Sequence, residues 1–274
     1  MTPSRRPFVD FQNVWLAYND ELLAQNQFAV EDISLQVNEG EFIAIVGPSG
    51  CGKSTFMKLA TGLRMPSKGS IRIDDAPVTG PLKISGMSFQ APSLLPWRST
   101  VDNVLLPLEI VEPHRSRFKA RRAEYRERAV GLLRTVGLGG YEDKLPHQLS
   151  GGMQQRAAIC RALVHEPKML LLDEPFGALD AFTREELWCT LRDLWSARKF
   201  NVILVTHDLR ESVFLADTVY VMSKSPGRLK VRRDITLARP RDLEVTYTAE
   251  FTDIVHELRG HIGAMRKAGA QVAR

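Results

Sequence analysis

The sequence predicts an α/β fold, a three-layer core of buried parallel strands and helices, entered through a β-rich segment and interrupted by a helical block. Three observations predict it. The runs Phe42-Ile43-Ala44-Ile45-Val46 and Lys168-Met169-Leu170-Leu171-Leu172 are nearly continuous in apolar residues, as strands buried on both faces require. Strand and helix patterns alternate from the second run to Met222. A Gly-rich turn, Gly47–Gly52, joins the first run to a helical pattern.

The elements follow in order. Phe8–Leu16 and Ile33–Val37 read as strands, and Ile71-Arg72-Ile73 is a short alternating one ended by Asp74-Asp75. Phe56-Met57-Lys58-Leu59-Ala60 is helical, and Met87-Ser88-Phe89 reads as a strand. From Val101 to Val164 the patterns are helical, broken at Pro107, Pro113 and Pro146. Within that block Phe118, Tyr125, Ala129, Leu132 and Val136 recur at helical spacing. The basic residues between Arg115 and Arg128 then fall on the opposite face, which reads as solvated rather than as a nucleic-acid groove. Thr183–Ala197 is a helix with Thr183 as N-cap and Glu186 as its capping-box partner. Asn201–Thr206 is a strand, Leu209–Ala216 a helix and Thr218–Met222 a strand. After Lys230 comes a strand and a helix over Ala249–Arg259. Neither an internal repeat nor a low-complexity segment stands out. The expected organisation is one domain over residues 1–230, with a helical subdomain inserted at about 91–163, and a short C-terminal extension over 231–274.

Length and charge bound the function. A chain of 274 residues is long enough to bury a substantial core. No apolar stretch approaches the ~18–20 residues that span a bilayer. The segment Met1-Thr2-Pro3-Ser4-Arg5-Arg6-Pro7 is not followed by an apolar signal-type run, so a cytosolic chain is expected. Cys51, Cys160 and Cys189 show neither paired nor metal-type spacing, consistent with a reducing compartment. Cys51 lies within the Gly-rich turn, where packing is the simpler reading than redox sensing. A net charge of +5 is modest for a nucleic-acid binder and suits a protein that holds polyanions beside an anionic membrane surface.

Gly47-Pro48-Ser49-Gly50-Cys51-Gly52-Lys53-Ser54-Thr55 fits G-x-x-x-x-G-K-[ST] in the strand–loop–helix setting that this phosphate cradle needs. Glycines let successive N–H groups converge on anionic oxygens, and the following helix adds its positive end. Lys53 supplies charge to the β- and γ-phosphates, and the Ser54 hydroxyl suits Mg²⁺. A second Gly-rich turn, Leu149-Ser150-Gly151-Gly152-Met153-Gln154-Gln155-Arg156, opens another helix. Two phosphate-facing turns in one chain suggest two copies sharing two ATP molecules. Asp173 and Glu174 follow the second apolar run, where ligands gather outside the carboxyl ends of parallel strands. Asp173 would hold the Mg²⁺ shell and Glu174 would polarise the attacking water. His207, after the Asn201–Thr206 strand, would reach the γ-phosphate; the other histidines lack metal-ligand spacing.

These motifs make the chain resemble an ATP-binding-cassette (ABC) ATPase over nearly its whole length. In order they are the phosphate loop, a glutamine loop at Gln90, the LSGGQ-type signature written LSGGMQQR, Leu170–Pro175, a D-loop Ala178-Leu179-Asp180 and the switch residue His207. The departure is Met153, where many members have Gln. The resemblance implies a P-loop NTPase core with an N-terminal antiparallel β subdomain and an inserted α-helical subdomain. It implies that Tyr18 stacks on adenine, that Gln90 contacts Mg²⁺ and the attacking water, and that two subunits pair head to tail. Ser150 and Gly152 of one subunit would then face the γ-phosphate held by the other, with Gly151, Gln154 and Asp180 on the same nucleotide-binding face.

A finer resemblance lies in Phe89–Val104 and in His207–Asp217 with Ser225-Pro226-Gly227-Arg228. Both are similar to the ATPases of bacterial nitrate, sulfonate and taurine importers, a group that also serves thiamine-precursor pyrimidines. The tail is too short for the regulatory domain of sugar-importer ATPases. The implied partners are a transmembrane permease and, indirectly, a solute-binding protein, on the cytoplasmic face of the inner membrane; nucleic acid is not expected. A chromosome-type ATPase of the superfamily would need long coiled coils between phosphate loop and signature, where only residues 56–148 intervene. A translation-type ATPase would need two cassettes, and a P-loop kinase would lack the signature. Leu94-Leu95-Pro96-Trp97 is either local core or a docking surface for the permease.

Overall fold

The structure, a computed structural model, describes residues 7–272 except Ala178 and Ser225. Its contacts divide the chain into two compact units, one formed by residues up to 82 together with those from 199 onward, the other by residues 83–198. Of the expectations above, those on Met1–Arg6, on Ala178 of the D-loop and on Ser225 lie outside the described residues.

The first unit begins with β1 (Val9–Leu16), a short helix α1 (Asp20–Ala24) and β2 (Val30–Val37). Asn19 caps α1 by accepting from the Leu22 N–H, which gives the long segment after Tyr18 a helical turn. Then come β3 (Phe42–Val46), α2 (Lys53–Ala60), β4 (Lys68–Ile73) and β5 (Ala76–Pro77). β1 lies between β2 and β4, with Val9 opposite both Val37 and Ile73, in an antiparallel sheet of order β2-β1-β4-β5. The alternation of β1 slips between Phe11 and Val14, a bulge at Asn13 (φ 47°). Asp74 and Asp75 both have positive φ (52° and 59°), the backbone of a type I′ hairpin turn between β4 and β5.

The second unit holds β6 (Ser85–Ser88), the helices α3 (Thr100–Leu105), α4 (His114–Arg117), α5 (Arg122–Thr135) and α6 (Gly151–Leu163), then β7 (Met169–Asp173) and α7 (Ala181–Arg198). β6 and β7 run parallel with Ser88 opposite Leu172. Helices α3, α5 and α6 pack on one another. Tyr125, Ala129, Leu132 and Val136 are buried, whereas the stretch expected to be one helix breaks between α4 and α5. At α7 the cap differs from expectation. Asp180 accepts from the Thr183 N–H at 3.0 Å, so the cap sits three residues earlier, and Glu186 bonds Arg156 instead of closing a capping box.

The chain returns to the first unit with β8 (Asn201–Thr206), α8 (Leu209–Leu215), β9 (Thr218–Met222), β10 (Leu229–Asp234) and α9 (Ala249–Val272). β3 is flanked by β8 and β9, both parallel to it, and β10 pairs antiparallel with β9. Every residue of β3, β8 and β9 is buried. Helix α2 packs on β8 and, through Phe56 stacked on Phe11 (centroids 4.9 Å apart), on the antiparallel sheet. Helix α9 runs well past Arg259 and packs on α8 and β9.

Candidate functional site

Because Val46 of β3 is paired with Thr206 of β8, the chain leaves two adjacent parallel strands at the same level, toward Gly47 on one and His207 on the other. Neighbouring strands are ~4.8 Å apart, so the phosphate loop and His207 start side by side. The loop is tightly enclosed from below. A β-carbon on Gly47 would lie 2.7 Å from the Met222 carbonyl oxygen and 2.9 Å from the Cys51 sulfur, and Cys51 itself is 1% exposed. Gly52 (φ 104°) opens α2 without any side-chain cap. The N–H groups of the first turn, orphaned in any helix, are therefore not taken up by a capping side chain. Lys53 is buried, its ammonium donating to the carbonyls of Gly47 (3.0 Å) and Pro48 (3.3 Å). Ser54 is exposed, and Pro48, Ser49 and Gly50 complete the turn.

Two neighbours of this loop deserve naming. The Tyr18 hydroxyl and Thr55 Oγ1 are 2.7 Å apart, which pins a ring that is 40% exposed and has the charged ends of Lys58 and Arg64 within 6 Å of its centroid (5.8 and 5.9 Å). Gly227 presses against the loop, for a β-carbon there would lie 2.2 Å from the Cys51 carbonyl oxygen. Gly227 donates to Ala29 and accepts from Glu31, bonding this turn to the start of β2. Sequence reasoning named Gly227 within a family stretch but missed this buttress.

In the second unit the same strand-end logic applies. Ser88 opposite Leu172 sends the chain toward Gln90 from β6 and toward Asp173 and Glu174 from β7. Gln90 Nε2 donates to Glu174 Oε2 at 3.3 Å. Glu174 has φ 46°, a left-handed backbone that a glutamate adopts at a cost of about 1–3 kcal/mol and that clusters at working sites. Asp173 and Glu174 are both half-buried.

The signature turn opens α6. Ser150 is its N-cap, accepting from the Met153 N–H at 3.3 Å, and Gln154 donates to the carbonyls of Pro146 and Leu149. Gly151 and Gly152 lie in the first helical turn. With Tyr141, Arg156 and Asp180 this turn lines an open cleft of about 570 Å³. Hydrogen bonds from Thr183 hold the Asp180 carboxyl below its ordinary range. Further along α6, Gln155 donates to the Phe89 carbonyl, and Arg161 to those of Pro92 (2.7 Å) and Ser93 (2.9 Å). The signature helix is thus bonded to the segment around Gln90. Gln155 was legible as a polar residue on the buried face of α6, beside Ala158, Ile159 and Ala162, but was not singled out. Trp97 is 74% exposed on a loop folded around buried Asn103, whose side chain bonds the backbone of Leu95, Arg98 and Ser99, so the core reading of Trp97 does not hold.

Among the described residues no three His, Cys, Asp or Glu side chains gather as a metal cluster, and no helix is long and apolar enough to cross a membrane. The profile of the ABC transporter family matches residues 30–177. The aliphatic sulfonates import ATP-binding protein SsuB of Bacillus licheniformis is 42% identical over 81% of this chain and 85% of its own. The taurine import ATP-binding protein TauB of Yersinia pestis is 40% identical over 84% and 86%. A dimeric, post-hydrolysis structure of the ATP-binding cassette MJ0796 bound to ADP and Pi is 29% identical, covers 84% of this chain and 100% of that chain, and superposes with a TM-score of 0.70. A phosphate loop beside a strand-end histidine, a strained strand-end glutamate and a Ser-capped signature helix are thus set in a chain that belongs to the ABC transporter family, as an ATP-hydrolysing cassette.

Proposed function

We propose that this chain is the energising subunit of a bacterial importer for a small solute of the nitrate, sulfonate or taurine type, or of the thiamine-precursor type. The sulfonate and taurine import proteins it resembles support that class. Two copies work head to tail on a transmembrane permease, at the cytoplasmic face of the inner membrane, with a solute-binding protein delivering cargo from outside. The cassette spans 1–230 with its helical subdomain at about 91–163. The extension 231–274 is continuous with it, because β10 runs across that boundary.

The observation that carries the reading is Glu174, held in a left-handed conformation with its carboxylate bonded to Gln90. That carboxylate polarises the attacking water, and Gln90 fixes its direction. Lys53 and the N–H groups from Gly47 to Thr55 hold the phosphates, His207 bonds the γ-phosphate, and Tyr18 offers its ring to the adenine. Ser150, Gly151, Gly152, Gln154 and Asp180 present the second face to the nucleotide of the partner copy. The Ser54 hydroxyl, the Asp173 carboxylate and the Gln90 amide oxygen would each supply an oxygen donor of the kind that Mg²⁺ takes. When bound, Mg²⁺ would neutralise charge on the β- and γ-oxygens. Trp97 offers the permease an aromatic anchor.

The test is Glu174→Gln, which preserves shape and removes the charge. ATPase activity should fall ~10²–10⁴-fold, while ATP binds and the dimer accumulates. Near-normal turnover would refute the role of Glu174. Solute class is read separately, by reconstituting the subunit with its permease and measuring uptake of taurine, alkanesulfonates, nitrate and pyrimidines.

A further inference from the structure

Helix α8 starts two residues after His207 and has only seven residues. Its N-terminus is capped locally by Asp208, which accepts from the Arg210 N–H at 2.8 Å and the Glu211 N–H at 3.4 Å. Its C-terminus is not finished by the usual means. A helix leaves its last four carbonyls without intrahelical partners, and a following glycine commonly turns the chain to meet them. Here Ala216 and Asp217 follow, and the partners come from the far side of β10.

Arg241 donates through one amino group to the carbonyls of Val213 (2.9 Å), Phe214 (3.1 Å) and Ala216 (2.7 Å). Arg239 supplies Leu215 (2.6 Å) and, through Nε, the Asp217 carboxylate (2.7 Å). All four carbonyls from 213 to 216 are therefore met by two arginines of the C-terminal extension, whose charges also complement the negative end of the helix. Arg241 is 2% exposed, and its remaining donors meet Ile235 and Leu237 of its own segment. Burial pulls its pKa down to about 10, so it stays charged at neutral pH. Asp217 also accepts from the Phe42 N–H at 2.9 Å, which joins the clamp to the first residue of β3, the strand that ends in the phosphate loop. Along its flank α8 meets α9, where the Arg210 guanidinium lies 5.7 Å from the centre of the buried Phe251 ring.

A seven-residue helix is marginal by itself, so its orientation is set by its tertiary contacts, which here are its buried face, Glu211–Leu215, and the two arginines that meet its last carbonyls. We infer that Arg239 and Arg241 are positioning residues for hydrolysis, acting through α8 to fix His207, so that the extension is part of the catalytic apparatus. This rests on the γ-phosphate role proposed for His207.

The experiment uses the full chain assembled with its permease. Arg239→Met, Arg239→Lys, His207→Ala and the double variant Arg239→Met/His207→Ala are compared for kcat and for KM toward ATP. Arg239 is chosen because it is partly exposed, whereas Arg241 is buried. Arg239→Met should lower kcat about tenfold, within the span typical of residues that act through another, with KM changed less than about twofold and a cooperative melt retained. Arg239→Lys should recover most of the rate, and the double variant should be no slower than His207→Ala alone. Wild-type kcat in Arg239→Met, or losses that multiply in the double variant, would overturn the inference while leaving His207 in place. A wild-type rate for His207→Ala would remove the reading beneath it.

Discussion

The phosphate loop and the signature turn are both Gly-rich, and both open a helix, yet their glycines answer different demands. In the phosphate loop the chain itself requires them. Gly52 sits at φ 104°, with Val30 Cγ1 2.9 Å from where a β-carbon would stand. At the signature turn Ser150 caps α6 in the ordinary way, and a β-carbon on Gly151 would meet nothing within 4 Å. No intrachain contact demands glycine at Gly151. On the proposed head-to-tail pairing, that bare backbone would face the partner copy. In the signature turn only Gly152 is crowded by its own chain, with Leu179 Cδ2 3.0 Å from where a β-carbon would stand, while Gly151 is left open. This difference is what the proposed composite site would need, with one copy supplying the cradle and the other its lid.

The largest effect should separate the two turns. Gly52→Ala forces a side chain into a left-handed, occupied position, which should cost about 1–3 kcal/mol of stability and abolish ATP binding in the isolated subunit. Retention of tight binding there, measured by fluorescent-nucleotide titration, would break the comparison. Next, Ser150→Arg should leave ATP binding by the isolated subunit intact but reduce turnover of the assembled transporter ~10²-fold, the scale of losing one aimed donor. Mixing it with Lys53→Ala subunits should leave at most one working site. Gly151→Ala sharpens the contrast further, since its melting temperature should stay level or rise slightly, alanine being the better helix former. A smaller effect is expected at Trp97. Trp97→Ala should shift the melt by no more than about 0.5 kcal/mol, as an exposed site does, while co-purification with the permease weakens by about 2 kcal/mol. Loss of permease binding only in proportion to unfolding would end the docking role of Trp97.

The smallest is a pH effect confined to the second unit. His165 is buried, donates through Nε2 to the Ser85 carbonyl at 3.3 Å, and has its pKa lowered chiefly by burial. Below about pH 6.5 the unfolded chain gains a proton that folded His165 resists. Stability should therefore fall as pH drops through that value and be fully present above it. Denaturant melts of His165→Gln against wild type between pH 7 and pH 5 should show a flatter slope in the variant, and parallel slopes would remove His165 as the cause.

Much of the skeleton was legible because strands buried on both faces leave only an apolar alphabet. Phe42–Val46, Asn201–Thr206 and Thr218–Met222 are strands over the spans that their composition predicts. Where local signals compete, the reading slipped. Asp180 and Thr183 are both good cap residues, and only the packing of α7 decides between them. The last helix, expected over Ala249–Arg259, instead runs on through Gly260 and Gly263, with open space beside each. In the candidate site, strand-end positions could be read from pattern, as Asp173 at the end of β7 and His207 just after β8 show. The contacts could not. Neither the backbone of Glu174, nor the bond from Gln155 to Phe89, nor the reach of Arg241 to Val213 leaves a local trace in the sequence.

The arginine clamp also has a consequence for biosynthesis. A chain leaves the ribosome N-terminus first. When α8 emerges, its last four carbonyls have no partners until residues 239–241 follow. The switch segment is therefore among the last parts of the first unit to be completed, although the phosphate loop beside it was made long before. A chain interrupted between β10 and Arg239 would carry every recognisable motif and still lack the means to hold His207. On the inference above, such a fragment should bind ATP and hydrolyse it poorly, and a nascent or truncated subunit would consume little nucleotide until its final segment is in place.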